Sequence, residues 1–224
     1  GQPDPLAPAN DDASPLLAPG ASNTPVAGEP TEEDKAIVAA VRQLLGAMPS
    51  RASGGDEEDR AAHAAFFGEE TAQPIFTRKD GPTVRGQQAL EEIGKADDWG
   101  LKSEAFRLPG PLGDAPTPQA LAEAEIKLAM AALKYARHAR GGRLDPATVS
   151  RKFDQKPRLY SPRSLLTALA RAESVDGYLR ALHPRHPQFE RLRQALLAAR
   201  AGKADPSAET GSARQPASIQ KLIA

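Results

Sequence analysis

Residues 125–143, EIKLAMAALKYARHARGGR, carry the clearest helical pattern in this chain of 224 residues. The pattern begins near Pro118, where proline suits the first helical position because its missing N–H would have no helical partner. It ends at the Gly141-Gly142 pair, since glycine is the usual residue after a helix. Apolar residues at three- and four-residue spacing widen to nearly half of the circumference, so we predict one long central helix. These residues are Leu121, Ala124, Ile126, Leu128, Met130, Ala131, Ala132, Leu133, Tyr135 and Ala136.

The composition of the chain favours an all-α fold. Aromatic residues make up only 4% of the chain, whereas a β-sandwich needs many aromatic and β-branched residues in its strands. Helix-starting signals of Ser, Thr, Asp and Pro predict further helices beyond the long one. We place their starts near residues 31, 57, 83, 145, 161, 174 and 186. In the second of these, we expect the buried side to hold Ala61, Ala64, Ala65, Phe66 and Phe67.

Two polar segments frame the predicted helical domain. Residues 1–30 hold seven prolines and no Lys, Arg or aromatic residue, so we predict a disordered, proline-rich N-terminal tail. Residues 31–202 form the multi-helix domain, and residues 203–217 form a polar linker. Residues 218–224, SIQKLIA, begin an amphipathic helix, which leads us to expect a truncated downstream domain.

Several classes of protein are disfavoured by the sequence. No stretch approaches the ~18 consecutive apolar residues of a membrane-spanning helix, so we do not expect the chain to span a membrane. The N-terminus shows no signal peptide, although a processed envelope protein would begin in the same way. The chain has no cysteine, which excludes disulfides, thiolate metal sites and cysteine catalysis within these residues.

Charge is segregated along a chain whose net charge is zero. Residues 1–119 carry 10 basic and 20 acidic side chains, a balance of −10, and residues 120–200 carry 16 basic and 7 acidic, a balance of +9. The simpler interpretation is that the two segments attract each other within one domain. The alternative is a basic surface that binds an anionic partner.

The end of the long helix holds the candidate binding residues. Arg137, His138, Arg140 and Arg143 form a basic cluster there, where cations interact favourably with the helix dipole. Helix capping is the simpler explanation of the cluster, and an anion or partner surface is the functional one.

No other site is predicted. His183 and His186 share a turn, but no Asp, Glu or Cys stands nearby at ligand spacing, so we predict no metal site. The sequence has no serine-nucleophile, phosphate-loop or dinucleotide motif, and we expect no catalytic residue and no cofactor. Basic residues without interleaved aromatic residues make nucleic acid an unexpected partner.

Several motifs occur in an order that resembles a known family. Tyr-Ala-x-His at residues 135–138 is followed by Gly-Arg-Leu-Asp-Pro at residues 142–146. Upstream stands DRAAHAAFF at residues 59–67, and downstream stands Leu-x-Pro-x-x-Pro-x-Phe-x-x-Leu at residues 182–192. With these motifs the chain resembles, over residues 59–200, the helical scaffold region of the large multidomain L,D-transpeptidases.

The sequence departs from this family in two places. Phe76 occupies a position that usually holds tryptophan, and the peptidoglycan-binding module often inserted after the last scaffold helix is absent. The segment IQKLIA, at residues 219–224, resembles the lead into the family's catalytic domain, but the His and Cys signature of that domain has no counterpart here.

The resemblance implies a role in the bacterial cell wall. L,D-transpeptidases are periplasmic transferases that cross-link peptidoglycan through a cysteine acyl-enzyme, a two-step reaction for which an activated thiol is suited. The chain would then be the non-catalytic scaffold that positions the catalytic domain, and it could also contact peptidoglycan. On this view the chain alone is inactive, and it reaches the periplasm after signal-peptide removal. The alternative is a free-standing helical interaction module whose basic face binds an acidic protein or polymer.

Overall fold

The structure, a computed structural model, describes residues 29–49, 54–141 and 159–204. Its regular structure is almost entirely helical, which confirms the predicted all-α class. The described helices are α1 (Glu32–Ala47), α2 (Gly55–Phe67), α3 (Val84–Gly94), α4 (Pro118–Ala139), α5 (Pro162–Arg171), α6 (Val175–Ala181) and α7 (Pro187–Ala204), with short 3₁₀ turns at Ala96–Trp99 and Ser103–Ala105. None of the described helices is long and apolar enough to cross a membrane.

Local capping residues set where five of these helices begin. At each of them a Ser or Thr side chain accepts a hydrogen bond from the backbone N–H three residues later, which satisfies one of the unpaired N–H groups of the first turn. At α1 the cap is reciprocal, because the Asp34 carboxylate also accepts from the Thr31 N–H at 3.3 Å. The five caps are Thr31, Thr83, Thr117, Ser161 and Ser174.

Helix α4 is the central element, as its apolar pattern predicted. The structure buries 13 of its 22 residues. The first half of α4 packs with α1 in one apolar cluster, to which α2 contributes Phe67. The second half packs with α3, α5 and α6 in a larger cluster around the fully buried Tyr135. Burial on so many sides of one helix explains why its apolar stripe is wide.

The buried side of α2 differs from the prediction. Ala61, Ala64 and Ala65 are exposed, and Phe66 is half-buried. Phe67 is buried, as predicted, and the other two residues that face the core are Asp59 and His63, each four residues from the next. Alanine is a poor guide to the buried side of a helix, because its small side chain is often found at the surface, and the prediction did not include the two buried polar residues.

A short hairpin follows α2 and rests on α4. The strands β1 (Thr77–Arg78) and β2 (Gly81–Pro82) pair antiparallel, Thr77 opposite Pro82. The buried carboxylate of Glu125 on α4 accepts hydrogen bonds from the N–H groups of Ile75, at 2.6 Å, and Phe76, at 2.9 Å. It also accepts from the Thr77 hydroxyl at 2.9 Å. One acidic side chain therefore satisfies the backbone of a segment that has no sheet partner on that side.

The last described helix belongs to a second compact unit. Helix α7 groups there with Asp98–Gly100. The guanidinium of Arg193 lies 3.9 Å from the centre of the Trp99 ring, and Arg200 pairs with Asp98 at 2.8 Å. Gly100 has a φ of +73°, a left-handed conformation that glycine adopts readily. The helix continues to Ala204, two residues past the predicted end of the helical domain at residue 202.

Several predictions fall outside the described residues. These are the disordered tail, except for its last two residues, the short helical turn after residue 145, nearly all of the linker at 203–217, and the segment 218–224.

Candidate functional site

The ion pairs of Arg137 define the geometry at the end of α4. Its guanidinium donates to Asp56 and to Asp59 on α2, both at 2.5 Å, and its side chain is 16% exposed. Lys134, one turn earlier on α4, lies 3.4 Å from the Asp56 carboxylate. Gly55 makes this approach possible, because a Cβ there would lie 2.5 Å from the guanidinium carbon of Arg137.

The two carboxylates that share Arg137 titrate differently. Burial raises the pKa of Asp59 to about 6, although the adjacent Arg137 acts to lower it. Burial also acts to raise the pKa of Asp56, but Lys134 and Arg137 outweigh it and leave that pKa below its usual value. Asp56 is therefore a carboxylate at neutral pH, and Asp59 takes up a proton in mildly acidic solution, near pH 6.

A small pocket of about 50 Å³ opens beside this pair. Its polar lining comes from Glu58, Asp59 and Arg137, and its apolar walls come from α4, from α5 and from the two residues that precede the α5 cap. A volume of this size holds a few water molecules or the end of one side chain, well below a typical small-molecule site of ~300–1,000 Å³. The apolar lining consists of Leu133, Ala136, Leu159, Tyr160, Pro162 and Leu165.

The other predicted site residues lie around different aromatic rings. The guanidinium of Arg140 lies 5.1 Å from the centre of the Tyr160 ring, which itself lines the pocket. The half-buried ring of His138 packs at 5.5 Å on Phe106. Arg143 lies outside the described residues. The structure thus places Arg137 in the pocket lining, Arg140 over the Tyr160 ring and His138 against Phe106.

The two histidines of the predicted turn have different environments. His183 is buried, and its Nε2 lies 2.6 Å from the hydroxyl of Tyr135. His186 is exposed, and its Nδ1 accepts a hydrogen bond from the N–H of Gln188. Within the described ranges, no three His, Asp or Glu side chains gather in a way that could hold a metal ion.

The segregated charges of the sequence meet inside the fold. Cations of residues 120–200 pair with carboxylates of residues 1–119, which supports the interpretation of mutual attraction. Several carboxylates in these pairs are exposed, so those pairs stabilise little individually, but they neutralise part of the basic surface. The pairs are Lys134–Asp56, Arg137–Asp56, Arg137–Asp59, Arg163–Glu69, Arg180–Glu92 and Arg200–Asp98.

The sequence interpretation missed Asp59 and His63 as buried residues. The signal that could have revealed them is their spacing, since Asp59, His63 and Phe67 continue one helical face at four-residue intervals. His63 is fully buried, and neither ring nitrogen has a hydrogen-bond partner. Burial alone lowers its pKa to about 3, so the ring is neutral in the folded protein.

Comparison with known families fits this architecture. Residues 61–196, which are 136 of the 224 residues, match the family model described as Scaffold domain. The chain belongs to the Scaffold domain family. Neither a curated protein nor a solved structure matches the chain. The matched range of the scaffold domain runs from α2 into α7 and includes Arg137, His138 and Arg140.

Proposed function

We propose that this scaffold domain is the non-catalytic part of a periplasmic peptidoglycan L,D-transpeptidase. Its role would be to position a cysteine catalytic domain that forms 3-3 cross-links between stem peptides. The observation that carries the proposal is the order of spaced motifs, from residues 59–67 through 135–138 to 182–192, within and around the matched range.

The contacts of the motif residues support a structural role. Tyr135 and His183 come from two different motifs and are joined by a 2.6 Å hydrogen bond in the core. Asp59, from the first motif, pairs with Arg137, from the second. These pairs hold distant parts of the chain together, and buried, satisfied polar pairs of this kind favour one arrangement of the helices.

The described serines serve as caps and local contacts. Acyl transfer needs an activated nucleophile, and the sequence has no thiol. The hydroxyls of Ser103, Ser161 and Ser174 bond to Asp97, Ser164 and Asp176, respectively. Two of these partners are carboxylates at a turn or a helix start, and none is a histidine or a lysine that could activate a serine. These serines thus have structural roles at helix starts and turns, which is what the proposed non-catalytic part requires of them.

Two experiments test the proposal: sequencing of the gene beyond Ala224 and analysis of the muropeptides of a deletion strain. The reading frame should continue past Ala224 into a segment with a His and Cys signature. Deletion of the gene in its source bacterium should lower the fraction of 3-3 cross-linked muropeptides, measured by liquid chromatography and mass spectrometry, and the intact gene should restore it. An unchanged 3-3 fraction, with a stop codon after Ala224, would favour the free-standing interaction module instead.

The predicted anion surface is a separate part of the proposal. The proposed contact with anionic sacculi is the surface around Arg137, Arg140 and Arg143, and it is tested at Arg140 and Arg143 because replacing Arg137 would also break its two ion pairs on α2. A sacculus pull-down at low and moderate salt should retain the wild-type chain better than an Arg140→Ala, Arg143→Ala double variant. An Arg163→Ala, Arg171→Ala variant is the matched control. Equal retention of all three would leave the cluster as a helix-end cap.

A further inference from the structure

Helix α2 is held to the core by an unusual set of side chains. Only three of its residues are buried, and two of them titrate: Asp59, His63 and Phe67. The His63 ring packs edge-on against Phe67 at 4.9 Å, with both ring nitrogens deprived of partners. Because a single large apolar side chain is fully buried, we expect α2 to be among the less stable helices of its unit.

The two titrating residues respond to acid in opposite ways. His63 has no acceptor for an added proton, so its charged form is compatible only with a solvated, undocked α2. Asp59 is a buried carboxylate paired with Arg137. A proton on it weakens that pair but removes the cost of burying its charge, which is the larger of the two effects. The pocket beside Asp59 gives protons a route to that carboxylate.

We propose that α2 is a proton-sensitive element in which His63 favours docking at neutral pH and Asp59 favours docking in acid. The pair lies one helical turn apart, so each opposes the effect of the other on the same docking equilibrium. This inference concerns the fold alone and stands or falls separately from the proposed cell-wall function.

The charged groups that face α2 pair with α2 itself or with the residues just after it. From α4, Lys134 and Arg137 pair with Asp56 and Asp59. From α1, Arg42 donates to the Phe67 and Glu69 carbonyls, and from α5, Arg163 pairs with Glu69. On α2 itself, Arg60 pairs with Glu57, and Glu58 is exposed. The lowered pKa of His63 has burial as its only cause, with no contribution from these charges.

The size of each effect follows from the linkage between protonation and docking. The pKa of docked His63 is depressed from 6.5 to about 3, so its contribution is present above pH 6.5 and is lost as the pH falls. At pH 5 this raises the undocked population about 30-fold. The pKa of docked Asp59 is raised from 3.8 to about 6, so its contribution is present in acid and is lost as the pH rises through 6. At pH 5 this lowers the undocked population about 10-fold, which leaves a net change of about threefold.

Hydrogen exchange followed by mass spectrometry tests the pair in the full chain. The opening equilibrium of α2 amides is measured relative to α4 amides near Leu128, at pH 7.5 and pH 5, so that intrinsic exchange rates cancel. Wild type should change about threefold. His63→Leu should open about 10-fold less at pH 5 than at pH 7.5, and Asp59→Asn about 30-fold more.

Glu70→Gln is the matched control, since it removes an exposed acid just after α2 that acts on neither Asp59 nor His63, and it should behave as wild type. Circular dichroism at pH 7.5 establishes that each variant is folded. If Asp59→Asn does not fold, His63→Leu still tests the proposal, because its α2 should open less at pH 5 than at pH 7.5, whereas that of wild type should open more. Equal pH slopes in wild type and His63→Leu would overturn the proposal, as would an α4 response that tracks α2.

Discussion

Replacement of Glu125 by alanine is the most direct test of how α4 organises the fold. The Glu125 carboxylate is fully buried and accepts from two backbone N–H groups and the Thr77 hydroxyl. Glu125→Ala removes the carboxylate that accepts all three hydrogen bonds. The Ile75 and Phe76 N–H groups then stay buried beside a cavity, without the partner that offset their desolvation.

The expected cost follows from three orphaned donors. Each buried, unsatisfied donor costs ~1–3 kcal/mol. Part of this cost is offset in the variant. Burial raises the pKa of Glu125, which means that burying its carboxylate is itself unfavourable, and the variant no longer has that carboxylate. We therefore expect Glu125→Ala to lower the free energy of unfolding by about 3–5 kcal/mol, in the range for breaking a buried charged interaction from one side.

Urea unfolding monitored by circular dichroism measures the effect. Glu123→Ala is the matched control, since Glu123 is exposed two positions earlier on the same helix, and its loss should be within ~0.5 kcal/mol. Glu125→Gln should fall between the two, because its amide oxygen still accepts while its NH₂ group faces the donors. A loss below ~1 kcal/mol for Glu125→Ala would refute the assignment of Glu125 as the anchor of the hairpin.

Three further predictions concern packing and activity. Leu128→Ala and Leu133→Ala should each lower the free energy of unfolding by ~2–5 kcal/mol in the same assay, because both side chains are buried in the central cluster, and losses below ~1 kcal/mol at both would contradict that placement. Gly86→Ala should destabilise by more than ~1 kcal/mol, since its Cβ would lie 2.2 Å from the Phe76 carbonyl oxygen, while Gly94→Ala on the same helix meets open space and should be neutral or stabilising. The isolated chain should show no transpeptidase or hydrolase activity on muropeptides by mass spectrometry, because it has no thiol; a product above the no-enzyme rate would contradict this.

Much of the candidate site required the folded structure. The sequence identified Arg137, His138 and Arg140 as a basic cluster at a helix end, and the structure places them there. It could not show that Arg137 is paired, since Asp59 lies 78 residues away along the chain. Nor could the sequence show what holds the segment at the start of the hairpin, because the carboxylate that binds the Ile75 N–H lies 50 residues later in the chain.

The sequence by itself determined the helices of this protein. A capping side chain acts on a backbone N–H three residues away, so the starts after Thr31, Thr117 and Ser174 are encoded locally. Which side of a helix is buried depends on its partners. On α4 the wide apolar stripe indicated the buried side from the sequence. On α2 only the tertiary structure shows that Asp59 and His63 are buried. An ion pair and a close-packed ring supply a reason for burial that polarity does not reveal.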